Sequence, residues 1–182
     1  SDYSQVELRI LAHISQDEGL IRAFNNQEDV HSRTAAEVYG VDIRDVDASM
    51  RRVAKTANFA IIYGVSAYGL SQQTDMSVQQ AGEFIDTYFA RYPGIKRYID
   101  STIEFARSKG YVTTLLNRRR NLPQINEKNR NVRQFAERVA INTPIQGTAA
   151  DMIKKAMIRI HRQMQGMKSR MLQQITLGES AA

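Results

Sequence analysis

The sequence predicts a mostly α-helical, globular fold with few strands. Apolar residues recur at helical spacing along most of the chain, and capping residues precede several of these segments. One run, residues 111–116, is β-prone. With 42% hydrophobic residues, the 182-residue chain is long enough to bury a core.

Composition excludes several classes of protein. The chain has no apolar run of about 18 residues and no charged-then-apolar leader, which predicts a cytoplasmic protein without a membrane span. Because it has no cysteine, it cannot form a disulfide, a zinc–thiolate site or a thiol nucleophile. The net charge of +6 and the pI of about 9.7 are compatible with nucleic-acid binding, although ribosomal and membrane-surface proteins share them.

The first residues predict the end of a strand followed by a helix. Ser4-x-x-Glu7 has the pattern of a capping box, in which Glu7 would bond back to the N-cap backbone. Val6 and Ile10 continue at helical apolar spacing. Asp2 precedes this helix, and an isolated Asp in that place is usually a turn residue.

The next segment predicts two helices separated by a polar loop at Asn25 and Asn26. The first helix is expected to end near Gly19, and the second to begin with Asp29 as its N-cap. His31 then lies in the first turn of the second helix. A lone histidine there is most often a solvated or capping residue.

Residues 51–64 are the most informative stretch. They predict a helix that Asp47 or Ser49 caps and Gly64 ends. Each helical residue advances by roughly 100°, so two cations and two aromatic residues form one oblique stripe. The stripe consists of Arg51, Lys55, Phe59 and Tyr63. The opposite side is aliphatic and suits a core; it carries Val53, Ala54, Ala57, Ala60 and Ile61.

The stripe suits a nucleotide. Its cations lie nearest the helix N-terminus, where the macrodipole and free N–H groups favour a polyphosphate. Phe59 and Tyr63 could stack on a base or a sugar. The alternative is that the cations are solvated and the aromatic side chains pack against another segment.

Residues 65–110 predict structure without a functional role. Residues 65–71 resemble a glycine-punctuated turn, and Asp75 or Ser77 begins a helix whose aromatic residues are spaced for core packing. That helix ends at Tyr-Pro-Gly, residues 92–94. Another runs from about Ile95 to Lys109 and is closed by Gly110.

The rest of the chain combines basic residues with further helices. Arg118, Arg119 and Arg120 predict either a turn laid against phosphates or an exposed basic loop. The preceding Asn117 tolerates a left-handed conformation.

Two helices are expected next, over about 129–141 and from Thr143 to about Met164. In the second, Pro144 suits the first helical position. Gln146 would either complete a capping box or reach a base edge in the minor groove.

Three dense motifs resemble the DNA polymerase I family, also called family A. They are Arg-x-x-x-Lys-x-x-x-Phe-x-x-x-Tyr-Gly from residue 51, Asp-Tyr-Ser-Gln-Val-Glu-Leu-Arg from residue 2, and Ala-Glu-Arg-x-Ala-Ile-Asn-x-Pro-Ile-Gln-Gly from residue 136. The resemblance implies template-directed DNA synthesis, in which a dNTP is joined to a primer 3′-hydroxyl with two Mg²⁺ ions. It also implies a helical fingers subdomain with partial palm strands, cut from an α+β parent.

By the same resemblance the chain divides into four parts. Residues 1–16 are a palm segment with the first catalytic motif, and residues 17–110 are the fingers, including the nucleotide-binding helix 49–64. Residues 111–175 return to the palm with helices that contact the primer-template. Residues 176–182 are a tail unlike the family.

The resemblance also assigns roles to individual residues. Asp2 and Lys55 are catalytic, and the Asp2 carboxylate and Tyr3 carbonyl hold Mg²⁺. Glu7 rejects ribonucleotides at the sugar 2′ position. The remaining dNTP-binding residues are Gln5, His31, Arg51, Phe59 and Tyr63, and the DNA-binding residues are Arg118, Arg119, Arg138, Asn142 and Gln146.

The sequence departs from the family near its end. The family's second palm motif, His-Asp-Glu, does not occur in the chain. Since one carboxylate of the metal pair is then missing, we expect the chain alone not to extend a primer. We expect a parent that is monomeric and cytoplasmic, nucleoid-associated in a bacterium or phage-like. The alternatives are a non-catalytic helical module that binds DNA or nucleotide, and a purely structural remnant.

Overall fold

A computed structural model describes residues 5–165 and confirms the mostly helical prediction. Within that range eight α-helices, one short 3₁₀ helix and one two-stranded sheet are found. The helices are α1 Val6–Ser15, α2 Glu18–Asn25, α3 Val30–Tyr39, α4 Ala48–Ile62, α5 Ala67–Ser71, α6 Val78–Arg91, α7 Pro93–Lys109 and α8 Arg130–Gln163, and the strands are β1 Tyr111–Thr113 and β2 Arg119–Asn121.

The first two helices correct two expectations. Gln5, in a left-handed conformation with φ 53°, is the N-cap of α1, so Glu7 is the second helical residue and the capping box with Ser4 is wrong. Gly19 does not end a helix but lies in the first turn of α2. The buried Asp17 carboxylate caps α2 by accepting from the Leu20 N–H, and it also accepts from the Gly94 N–H at 2.8 Å.

Helices α3 and α4 begin and end where local chemistry predicts. Asp29 caps α3 by accepting from the Ser32 N–H, and Asp47 caps α4 by accepting from the Met50 N–H. Gly64, with φ 67°, follows the last turn of α4. The predicted aliphatic face of α4 is buried, and it packs mainly toward α3 and the core.

The next elements are placed nearly as predicted. Residues 67–71 form the short helix α5 instead of a turn, because Ser66 supplies a cap. Ser77 caps α6 through a complete capping box with Gln80. The aromatic side chains of Phe84 and Tyr88 are buried in the core, which confirms their packing role.

A small hairpin follows α7. Strands β1 and β2 are antiparallel, with Val112 opposite Arg120, so Arg119 and Arg120 lie in a strand and not in a turn. The turn lies before them, and Asn117 adopts the predicted left-handed conformation with φ 61°.

Helix α8 is one continuous 34-residue helix, so the predicted break before Thr143 is wrong. Pro144 removes one backbone donor, yet it is buried and flanked by Ile141 and Ile145, which pack in the main core. The Thr143 hydroxyl donates to the Val139 carbonyl one turn earlier and does not cap a helix. Tertiary packing therefore overrides the local signal.

The core lies between the helices and is extended by a smaller cluster under the hairpin. The main cluster takes side chains from α1 through α8, and the smaller one joins α7, α8 and the hairpin. The Tyr98 hydroxyl donates to the Ile141 carbonyl at 2.7 Å and ties α7 to α8. In residues 5–165 no helix is long and apolar enough to cross a membrane.

Candidate functional site

Helix α4 presents its stripe of two cations and two aromatic residues away from the core. Arg51 is exposed, whereas Lys55, Phe59 and Tyr63 are half-buried. The helix therefore buries its aliphatic face and leaves the stripe accessible, as the angular spacing predicts. The alternative, in which the aromatic side chains pack against another segment, is correct for Phe59. Its ring also packs against the core and lies 5.8 Å from the His31 ring.

The cationic end of the stripe is held by α3. The Arg51 guanidinium donates to both carboxylate oxygens of Asp29, at 3.2 and 2.8 Å. Partial burial alone would raise the pKa of Asp29, but hydrogen bonds from Arg51 and the Ser32 backbone bring it to about 2. Asp29 thus caps α3 and orients Arg51 at once.

His31 is buried between α3 and α4, so it is not the solvated residue that its position suggests. Its side chain is 3% exposed, and its Nδ1 lies 3.1 Å from the Asn58 side-chain nitrogen. Burial lowers the pKa of His31 to about 4; Asp29 opposes this shift, whereas Arg51 and Lys55 reinforce it. The imidazole is therefore neutral at pH 7.

The far end of the stripe joins three helices through one hydroxyl group. The Tyr63 hydroxyl donates to the Glu7 carboxylate of α1 at 2.8 Å. Gln146 of α8 donates from Nε2 to the same hydroxyl at 3.2 Å. Glu7 and Gln146 therefore meet through Tyr63, and neither belongs to a capping box.

A cleft of about 590 Å³ opens beside this end of α4. Its lining includes Tyr63, Phe89, Lys96 and Arg138, a mixture of aromatic and basic side chains. Arg138 also packs closely on Gly64, where an added Cβ would lie 3.0 Å from the arginine Cγ. The backbone turn at Gly64 thus brings Arg138 of α8 to the end of the stripe.

The basic hairpin makes more internal contacts than the sequence suggests. The Arg118 guanidinium forms an ion pair with Asp151 at 2.9 Å and donates to the Gly147 carbonyl at 3.1 Å. Arg119 lies over the Tyr111 ring, 4.0 Å from its centroid. The Arg118 charge therefore serves first to fasten the hairpin to α8.

Asn142 differs from its neighbours on α8. Its Oδ1 is buried and accepts no hydrogen bond from any residue between 5 and 165. Arg138, Asn142 and Gln146 follow one another at intervals of four residues, so they share one face of α8.

The predicted metal ligands lie outside the described residues. Asp2 and Tyr3 precede residue 5, and residues 5–165 contain no group of three acidic, histidine or cysteine residues able to hold a metal ion.

Sequence reasoning missed two residues of the site. Asp29 was expected only as a cap, and Asn58 had no assigned role. Their partners, Arg51 and His31, are 22 and 27 residues away along the chain. No local pattern indicates contacts at that separation.

Residues 1–176 match the family described as DNA polymerase family A, and the chain belongs to that family. It is 54% identical to DNA polymerase I of Caldicellulosiruptor bescii over 177 residues, which is 96% of this chain and 21% of that protein. It is 57% identical to DNA polymerase I of Geobacillus stearothermophilus over 158 residues, 87% of this chain and 18% of that protein. The chain thus spans about a fifth of the length of these curated relatives.

The fold also matches a solved structure. The POL domain of Pol1 from M. smegmatis, in complex with DNA primer-template and dNTP, aligns with a TM-score of 0.90 and 46% identity. The alignment covers 95% of this chain and 31% of that chain.

Proposed function

We propose that the chain is the nucleotide-binding and primer-template-contacting part of a DNA-directed DNA polymerase. The reaction is template-directed transfer of a nucleotidyl group from a dNTP to a primer 3′-hydroxyl. The observation that carries this proposal is the accessible stripe of α4, two cations followed by two aromatic residues, in a chain of DNA polymerase family A.

The cations of the stripe would bind the triphosphate. Arg51 and Lys55 lie on one side of α4, one helical turn apart, and carry two positive charges toward the solvent. The Arg51 guanidinium bonds to Asp29 through Nε and Nη2, so a phosphate meets its remaining N–H groups or displaces Asp29. His31 adds a neutral donor, and because its side chain is only 3% exposed, the side chains that cover it must shift before it meets a phosphate.

The aromatic end of the stripe would hold the base and sugar. Phe59 offers a half-exposed ring for stacking, and Tyr63 fixes the Glu7 carboxylate by a hydrogen bond. A carboxylate held there would exclude a 2′-hydroxyl by occupying its space. Gln5, the residue before α1, completes the proposed nucleotide set.

The shared face of α8 would contact the primer-template. Arg138 supplies charge toward a phosphate, and Gln146 supplies an amide to a minor-groove base edge. Asn142 brings a buried carbonyl oxygen that no described residue satisfies. Arg118 and Arg119 add positive charge at the hairpin, although Arg118 retains its ion pair with Asp151.

Divalent metal use is general in family A, and we propose Mg²⁺ held by the Asp2 carboxylate and the Tyr3 carbonyl. The chain contains no His-Asp-Glu, so it carries one of the two carboxylates that the motif pattern calls for. We therefore expect Asp2 and Lys55 to be catalytic in the parent enzyme, and the chain alone not to extend a primer.

The proposed division of the chain follows the same reasoning. Residues 1–16 are a palm segment, residues 17–110 the fingers, residues 111–175 the return to the palm, and residues 176–182 a tail. The parent enzyme is a monomer that acts in the cytoplasm on the nucleoid.

A segment exchange tests the proposal. The chain replaces the aligned segment of the Geobacillus stearothermophilus DNA polymerase I, to which it is 57% identical, and primer extension is measured. We expect the exchanged enzyme to extend a primer, and Lys55→Ala to lower kcat/KM on the order of 100-fold. Arg52→Ala, which alters an exposed cation off the stripe, is the matched control. Equal activity of the two variants would refute a role for the stripe.

A further inference from the structure

A buried hydrogen-bond chain lies directly behind the cationic end of the stripe. Asn58 is 1% exposed and projects from α4 toward α3. Its side-chain nitrogen lies 3.1 Å from His31 Nδ1 and 3.1 Å from the Thr34 hydroxyl oxygen. The Thr34 hydroxyl is in turn 3.4 Å from the Tyr92 hydroxyl. These four side chains form one polar cluster inside an otherwise apolar layer.

The contacts of Asn58 decide which way its amide faces. Buried N–H groups need acceptors, and the amide nitrogen has two acceptors within reach, His31 Nδ1 and Thr34 Oγ1. The amide oxygen lies 3.2 Å from the Thr34 hydroxyl, which donates to it. Reversing the amide would place its two N–H groups near Thr34 alone and leave one of them without an acceptor.

This orientation fixes the imidazole of His31. A nitrogen that accepts a hydrogen bond carries no proton, so a neutral ring must carry its proton on the other nitrogen. The ring is neutral because it is buried beside Arg51 and Lys55, with Asp29 as the one nearby acid that opposes them. A proton on Nδ1 would also face the Asn58 N–H directly.

We propose that Asn58 is a positioning residue that donates to His31 Nδ1 and holds the imidazole as its Nε2–H tautomer. His31 then presents a single neutral donor, ready for a phosphate oxygen, without adding a third positive charge beside Arg51 and Lys55. This role in the nucleotide site rests on the proposed function, whereas the tautomer itself does not.

Nitrogen NMR of ¹⁵N-histidine-labelled chain tests the tautomer directly. The chain has three histidines, and the exposed His13 and His161 serve as internal references. We expect His31 Nδ1 to resonate as an unprotonated nitrogen and Nε2 as a protonated one. In Asn58→Asp the new carboxylate can only accept a hydrogen bond, which favours a proton on Nδ1, so the tautomer should reverse. A protonated Nδ1 in the unsubstituted chain would overturn the proposal.

Titration with dATP tests the positioning role. We expect the His31 Nε2–H resonance to move on binding, and the uncharged, similarly sized Asn58→Leu to weaken dATP roughly fivefold, the effect of one hydrogen bond. Thr56→Ala, on the same helix but away from His31, should bind normally. Equal affinity in Asn58→Leu would overturn the positioning role. Failure of the unsubstituted chain to bind dATP would instead refute the proposed function, and the spectrum of the free chain would still decide the tautomer.

Discussion

Asp29 and Tyr63 each make two separate stabilising contacts at this site. Asp29 caps α3 and pairs with Arg51, and Tyr63 donates to Glu7 while accepting from Gln146. Because these groups are tied to one another, their mutual contacts are in place before any ligand arrives. Substitutions here should therefore change stability as well as binding.

The buried His31 makes stability depend on pH. Its pKa falls from 6.5 to about 4 on folding, so between these values the unfolded chain binds a proton that the folded chain does not. The contribution of His31 to the free energy of unfolding should thus be fully present above pH 6.5. It should be lost, by on the order of 3 kcal/mol, as the pH drops to about 4. Urea titrations from pH 7 to 4 measure it. Asp29 contributes to the pH dependence of stability in a separate range, between pH 3.8 and about pH 2.

His31→Gln should remove most of this slope, while His13→Gln, at an exposed position, should leave it unchanged. An identical slope in the His31 variant would show that the histidine is not buried neutral.

The Tyr63 hydroxyl should have a measurable effect on stability. Tyr63→Phe removes the bonds to Glu7 and Gln146 but keeps the ring, so we expect a loss of about 1 kcal/mol in the free energy of unfolding. Tyr68→Phe, whose side chain is exposed, is the control for deleting a tyrosine hydroxyl. Equal stability of the two variants would argue that the Tyr63 hydroxyl does not stabilise the contact between α1, α4 and α8.

The ends of helices could be predicted from the sequence where one or two neighbouring residues determine them. Asp29, Asp47 and Ser77 cap as their patterns indicate, since a cap needs only its own first turn. Pro144 did not break α8, because burial against distant helices outweighs one lost backbone bond. The bounds of a helix can therefore be predicted from neighbouring residues, except where tertiary packing overrides the local signal.

The N-terminus of α4 offers a test of whether one capping side chain holds the first turn of a helix. Asp47→Ala removes the side chain that accepts from the Met50 N–H at 2.7 Å, and we expect a loss of about 1 kcal/mol. Faster hydrogen exchange should appear in the first turn, where Arg51 lies. Asp45→Ala, an exposed acid outside α4, should have little effect. Unchanged exchange in Asp47→Ala would show that other contacts hold this end of α4.

Across the whole molecule, the helical fold and the accessible stripe followed from the sequence, but the contacts that arrange the stripe did not. Helical spacing determines which residues of α4 share a face. The partners of that face lie far along the chain: Glu7 is 56 residues from Tyr63, and Gln146 is 83. Only the packing of α1, α3 and α8 around α4 brings them together.

A titration of the ¹⁵N-labelled chain with dATP and Mg²⁺, followed by NMR, shows whether the stripe of α4 binds the nucleotide. We expect the largest shifts on Arg51, Lys55, Phe59 and Tyr63, and we expect Lys55→Ala to weaken binding while Arg52→Ala does not. Shifts confined to other surfaces, with the four stripe residues unmoved at saturating dATP, would contradict this expectation.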